Sequence, residues 1–265
     1  MEKQTDRRIG VLDSGLGGLT LVLEMERLLP HEGVVYFGDN SNCPYGNRPE
    51  EEILGLSIAM LDFLREQGIK AAAIACNTIS VIADRLRERY DFPVVSIIEA
   101  VCESVAVMEL PKIAVFATEF TIRKGLYQEL LRRISPKTEV FGFASHSLAA
   151  LVDSGRFDDS ATETEVKSLL GALRKSHPDI THAVLGCTHY PIVGDLFARS
   201  APDITFINPA EAQAGALKKL LSGRGLSSGI PDPGLDIYTS GEKPLYEAAL
   251  KKLGIQRHAA IKEIH

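Results

Sequence analysis

No segment of this chain gathers basic residues: 29 Lys and Arg are outnumbered by 35 Asp and Glu, leaving a formal charge of −6 over 265 residues. Without a basic block there is no electrostatic footprint for nucleic acid or for an acidic membrane surface. No apolar run approaches the roughly 20 residues that span a bilayer. Met1 to Arg8 are polar and charged with no apolar stretch behind them, which argues against a secretory signal. Cysteine is scarce and scattered: Cys43, Cys76, Cys102 and Cys187 form no CxxC pair, so neither a disulfide framework nor the usual zinc spacing is present. A reducing cytoplasm is the expected setting, and no metal is expected. Low-complexity linkers are also missing. The strongest loop signal is the Gly, Ser and Pro-rich stretch from Ser222 to Gly234.

What is present is ordinary globular composition, 45% hydrophobic and 24% charged, enough for a sizeable core. Apolar, β-rich runs alternate with helical periods, predicting strands over 9–13, 34–38, 71–76, 93–97, 112–117, 138–143, 180–185, 204–207 and 235–238. Helices fill most of the gaps. Pro49 followed by Glu50, Glu51 and Glu52 marks a first turn, and Ile53, Leu56, Met60 and Phe63 supply an apolar face as far as Gln67, with Gly68 as the stop. A last helix is predicted from about Glu242. Such alternation is the pattern of an α/β fold with mostly parallel strands.

Two segments repeat one design. Ala71 to Thr78 and His182 to His189 are each an apolar strand-like run ending in a small residue, a Cys, then polar residues that include Thr. The run from Arg8 to Gly15 likewise resembles Lys112 to Glu119, each a strand ending on a hydroxyl-bearing residue. These pairs lie roughly 100 and roughly 110 positions apart and in the same order, which predicts an internal duplication and two similar lobes. Residues 1–98 with 208–265 are expected to form the first lobe, and 99–207 the second. Ligands in open α/β sheets bind outside the strands' carboxyl ends, so the duplication aims two thiols at one cleft.

The remaining motifs allow more than one chemistry. Asp13-Ser14-Gly15-Leu16-Gly17-Gly18 is a glycine turn carrying a carboxylate and a hydroxyl between a strand and a helix. Thr20 occupies the third glycine position of the dinucleotide fingerprint, which weakens a nucleotide site even though Asp39 lies where a ribose-binding acid would. Cys187 and His189, two apart and on one face if extended, can exchange a proton and read equally as the nucleophile and base of a cysteine hydrolase. A zinc pair would still need a fourth ligand. Cys43, beside Pro44, reads as a bystander, and Cys102 as a helix packing residue. A cysteine hydrolase leaves the Cys76 segment unexplained, whereas a two-base reaction uses both cysteine segments.

The segments Asp13 to Gly18, Gly38-Asp39, Pro44-Tyr45-Gly46, Ala75 to Thr78, Ala117-Thr118 with Thr121 and Tyr127, Gly186 to Pro191, and Tyr238 to Gly241 together resemble the glutamate racemases, over essentially the whole chain. Gly186-Cys187-Thr188-His189-Tyr190-Pro191 is the most specific of them, since aspartate racemases generally carry another residue in place of His189. The resemblance implies two α/β lobes with the site between them, no cofactor, glutamate as the small-molecule substrate, a homodimer, and D-glutamate for bacterial peptidoglycan as the product. It also implies that Cys76 and Cys187 are the two bases, that Asp13 partners Cys76, and that His189 partners Cys187. Ser14, Pro44, Tyr45, Gly46, Asn77, Thr78, Thr118, Thr121 and Thr188 match substrate-holding positions. Asp153 stands where the family carries the glutamate that supports the histidine, one methylene shorter. Asn208 begins a segment that usually starts with Asp, and Glu99 lacks the usual Pro-Gly after it. The competing expectations are another cofactor-independent racemase of the superfamily, such as one for aspartate, and an amino-acid-binding protein with impaired catalysis.

Overall fold

The computed structural model describes residues 4–264; of the polar opening stretch Met1 to Arg8, residues 1–3 lie outside the described residues. The predicted strands form as β1 Ile9–Asp13, β2 Val34–Gly38, β3 Ala71–Ile74, β4 Val94–Ser96, β5 Lys112–Thr118, β6 Glu139–Ser145, β7 His182–Gly186, β8 Thr205–Ile207 and β9 Leu235–Thr239. A tenth, β10 Ala259–Glu263, was not expected. All pair in parallel, in two sheets ordered β10-β9-β2-β1-β3-β4 and β6-β5-β7-β8.

The duplication is visible in that order. The run β2-β1-β3-β4 is repeated as β6-β5-β7-β8, so each lobe has its first strand at the same place and a cysteine just past its third. β1 and β3 are buried along their whole length, as continuous apolar strands covered on both faces should be. β9 and β10 extend only the first sheet, β9 pairing with β2 and returning the chain's end to that side.

Two boundaries differ from the sequence expectation in a way that matters for chemistry. β3 stops at Ile74 rather than 76, because the chain turns at Cys76 into a short helix, Asn77–Ser80. β7 runs to Gly186, and the four residues Tyr190–Val193 then form a tight helical turn. The helix Glu50–Glu66 begins and ends as its signals predict, with Gly68 just beyond it at φ 69°, where a side chain would be strained. No helix among the described residues is long and apolar enough to cross a membrane.

Candidate active site

Both cysteines sit one or two residues past a parallel strand's carboxyl end, and both line one cavity between the sheets. Cys76 and Cys187 are 4% and 5% exposed, so neither thiol is freely available to solvent. Cys76 Sγ lies 3.6 Å from Ser14 Oγ. Cys187 Sγ lies 3.7 Å from His189 Nδ1. That second contact does not arise from extended backbone as the sequence suggested: His189 has φ −73° and ψ −29°, and the turn itself folds the ring back onto the thiol.

The lobes are stitched together at this cavity. Asp13, at the end of β1, accepts from the Gly15 N–H at 3.0 Å with one oxygen and from Thr188 Oγ1 of the other lobe at 3.0 Å with its second. Thr78 Oγ1 is 3.1 Å from Thr118 Oγ1, which is in turn 3.1 Å from Thr121 Oγ1, making a three-hydroxyl cluster across the cleft. Tyr127 Oη donates to Asn77 Oδ1 at 2.7 Å. The amide's other end, Asn77 Nδ2, is buried without a protein acceptor. A buried donor left unpaired costs about 1–3 kcal/mol, which a bound anion would recover.

Behind His189, Nε2 donates to Asp153 Oδ1 at 2.8 Å. Asp153 also accepts from the Leu16 N–H at 3.0 Å and from Asn40 Nδ2 at 2.9 Å, both in the first lobe. The shorter carboxylate therefore reaches the histidine directly. Gly15 and Gly17 permit this approach: a Cβ on Gly15 would sit 2.1 Å from Asp153 Oδ1, and one on Gly17 would sit 2.5 Å from Thr188 Oγ1.

Burial and charge set the proton affinities. Burial, with Asp13 nearby adding to it, pushes the Cys76 thiol up to about 12. Burial raises Asp13 to about 6, against the opposing pull of His189 and of its own hydrogen bonds. For His189, burial opposes the charged ring, but the hydrogen bonds to Asp153 and to the thiols of Cys187 and Cys43 prevail and hold it well above the ordinary imidazole value. Burial works against the Asp153 carboxylate too. The His189 hydrogen bond and charge, with Leu16 and Asn40, overcome it and keep that carboxyl below its usual range.

Of the residues singled out from sequence, Ser14, Pro44, Tyr45, Gly46, Cys76, Asn77, Thr78, Thr118, Cys187, Thr188 and His189 line the cavity directly. Asp13, Thr121 and Asp153 touch lining residues from behind. One assignment shifts: the group against the Cys76 thiol is Ser14, while Asp13 is hydrogen-bonded to Gly15 and Thr188. Cys43, read from sequence as a bystander, lines the same cavity, with burial as the main cause of a thiol pushed up to about 12. Its position immediately before Pro44-Tyr45-Gly46 was the available signal. Cys102 packs in the core on the helix Ile97–Val107, as expected. Cys43, Asp153 and His189 bring a thiol, a carboxylate oxygen and a ring nitrogen within 4.8 Å of one another, a set that could hold a metal ion. The ring already hydrogen-bonds Asp153 and the Cys187 thiol, so a metal would have to displace one of them.

Residues 9–217 match the family described as Asp/Glu/Hydantoin racemase, and the chain belongs to that family. Its relatives include the glutamate racemase of Desulforudis audaxviator, 35% identical over 226 residues, which cover 84% of this chain and 82% of that one. The glutamate racemase of Herpetosiphon aurantiacus is 33% identical over 250 residues, 93% of this chain and 97% of that one. The crystal structure of a glutamate racemase isoform from Bacillus anthracis matches with a TM-score of 0.89 at 32% identity, covering 98% of this chain and 97% of that one. The enzyme from Francisella tularensis, in complex with D-glutamate, matches at 0.88 with 29% identity and 98% of each chain covered.

Proposed function

We propose that this chain is a glutamate racemase that works without a cofactor, inverting the α-carbon between Cys76 and Cys187. The observation that carries the reading is that two buried thiols line one cavity, each at a strand's end and each with its own polar partner. A single fixed base tends to return a proton to the face it came from. Two bases make inversion efficient.

In each direction one sulfur, as thiolate, takes the α-proton, and the other, as thiol, delivers a proton to the opposite face. The environment of Cys76 favours the thiol, so it needs a proton acceptor; Ser14 Oγ lies against the sulfur, and Asp13, near enough to raise the thiol's proton affinity, is the neighbouring carboxylate. Asp13, near 6, is poised to give or take a proton at neutral pH. Cys187 exchanges its proton with His189 Nδ1, while the Asp153 carboxylate accepts from Nε2 and orients the ring toward the sulfur. The unpaired Asn77 Nδ2, with the hydroxyls of Ser14, Thr78 and Thr188, supplies donors for the negative charge that develops at the α-carbon and its carboxylate. Pro44, Tyr45, Gly46, Thr118 and Thr121 complete the substrate's enclosure.

The setting follows the same reading. The lobes are divided as 1–98 with 208–265, and 99–207; the enzyme is a cytoplasmic homodimer, and its D-glutamate supplies peptidoglycan. The test is circular dichroism of L- and D-glutamate incubated with purified protein and no added cofactor. Both should decay to zero ellipticity, with aspartate much slower, because a side chain one methylene shorter misplaces the α-carbon by about 1 Å and costs on the order of a hundredfold in rate. Persistent optical activity of both glutamates would overturn the reading.

A further inference from the structure

Asp153 takes hydrogen bonds from both lobes, and of its two partners on the first lobe, the Leu16 N–H and Asn40, only Asn40 is a side chain. Asn40 Nδ2 donates to Asp153 Oδ2 at 2.9 Å. Its Oδ1 accepts from Thr239 Oγ1 at 2.9 Å and from Tyr246 Oη at 2.6 Å. The Thr239 hydroxyl is itself an acceptor for the Gly241 N–H at 2.8 Å, so its own proton is free to go to Asn40. With two hydroxyls donating to one end of the amide and a carboxylate able only to accept at the other, the orientation of Asn40 is fixed. The chain Tyr246 and Thr239, Asn40, Asp153, His189, Cys187 thus runs from the first lobe, across the cleft, to a thiol on the second.

We propose that Asn40 is a positioning residue for racemisation: it pins the Asp153 carboxylate against His189, and it does so only when the lobes are closed. The proposal rests on the racemase reading above. Asp153 also borders a surface cavity of about 590 Å³ on its far side, shared with Asn40, Ser154 and Glu242. Without the Asn40 donor, Oδ2 loses its partner and only the Leu16 N–H ties the carboxylate to the first lobe, so it can turn toward that cavity and weaken its hold on the imidazole. Opening the cleft breaks the Asn40 and Leu16 bonds together, so the proton partner of Cys187 is assembled by the same movement that encloses the substrate.

Asn40→Asp tests this directly. An aspartate keeps acceptors for Thr239 and Tyr246 but sets a carboxylate against a carboxylate, and regains a donor only when one of the two is protonated. Its turnover relative to the unmodified enzyme should be lowest near about pH 8 and recover toward about pH 5 as that proton is bound. Asn40→Ala should lose on the order of a hundredfold without any such recovery, as for a displaced catalytic group. In an Asp153→Asn background, both Asn40 changes should cost little further, because the group they act through is gone. Equal losses in both backgrounds, or a flat pH ratio for Asn40→Asp, would overturn the proposal. Nitrogen NMR of the His189 ring follows the same contact without turnover. The Nε2–H signal should weaken in Asn40→Asp near about pH 8 and return near about pH 5. An enzyme that leaves glutamate unchanged but shows this signal would sink the racemase reading and not the Asn40 contact, whereas an unaltered signal in the variant would sink the contact.

Discussion

At the residue scale, the site is built from groups that the fold holds away from their ordinary protonation behaviour, and substitutions separate chemistry from stability. Cys76→Ala or Cys187→Ala should abolish racemisation with the far-ultraviolet spectrum unchanged, whereas Cys102→Ala, in the core away from the cleft, should retain most turnover. Near-normal rates in either of the first two would remove the two-base assignment. Asp13 carries a measurable cost. Its carboxyl is raised from 3.8 to about 6, so the folded state binds a proton more tightly than the unfolded chain, and stability from this group falls as pH rises from about 4 to about 6. Above that window the penalty is on the order of 3 kcal/mol. Asp13→Asn can keep an acceptor for the Gly15 N–H and donate from its Nδ2 to Thr188 Oγ1, so it should melt a few degrees higher near about pH 8, show no gain near about pH 4, and turn over poorly. A lower melting temperature at every pH would mean that the carboxylate is held more favourably than its burial implies.

At the scale of elements, the groups proposed as catalytic are placed by where strands end, and the sequence carried that information unevenly. Strand–Cys–polar units at Cys76 and Cys187 were legible because a buried parallel strand is a continuous apolar run and a small residue marks its end. The two residues after β3 were read as strand because Ala75 and Cys76 are as apolar as the run before them. Only the tertiary turn toward Asn77 distinguishes them. β10 was missed because it is an edge strand carrying exposed Lys262 and Glu263, a composition that protects an edge and hides the strand from pattern reading. Cys43, Asn40 and Tyr246 were missed because their contacts join residues far apart in the chain: Asn40 meets Asp153 and Tyr246 only once the first-lobe loop, the second-lobe helix Leu148–Asp153 and the last helix are packed. The glycine turn gives a test at this scale. Gly15→Ala puts a methyl 2.1 Å from Asp153 Oδ1, so the lobes cannot close as they do here. Activity should fall by more than about a hundredfold while each sheet stays folded. An active Gly15→Ala enzyme would show that closure at this contact is dispensable.

At the scale of the molecule, a repeated four-strand order sets two lobes against one another, and the space left between the thiols is small. The cavity is about 10 Å³, room for about one water molecule and far short of a five-carbon dicarboxylate. The lobes must part to admit glutamate. The Leu16 N–H, bonded across the cleft to Asp153, reports that motion: its hydrogen exchange should slow when glutamate saturates the enzyme, while amides inside β1 stay unchanged. Leu16 exchanging as slowly as β1 in free enzyme would contradict opening. The central claim, two thiols acting from opposite faces, is tested most directly by running D-glutamate in deuterium oxide and stopping the reaction early. The L-glutamate formed should carry one deuterium at the α-carbon, and the recovered D-glutamate essentially none. Deuterium entering the recovered D-glutamate as fast as it enters the product would contradict the claim, because one base would then be returning protons to the face from which it took them.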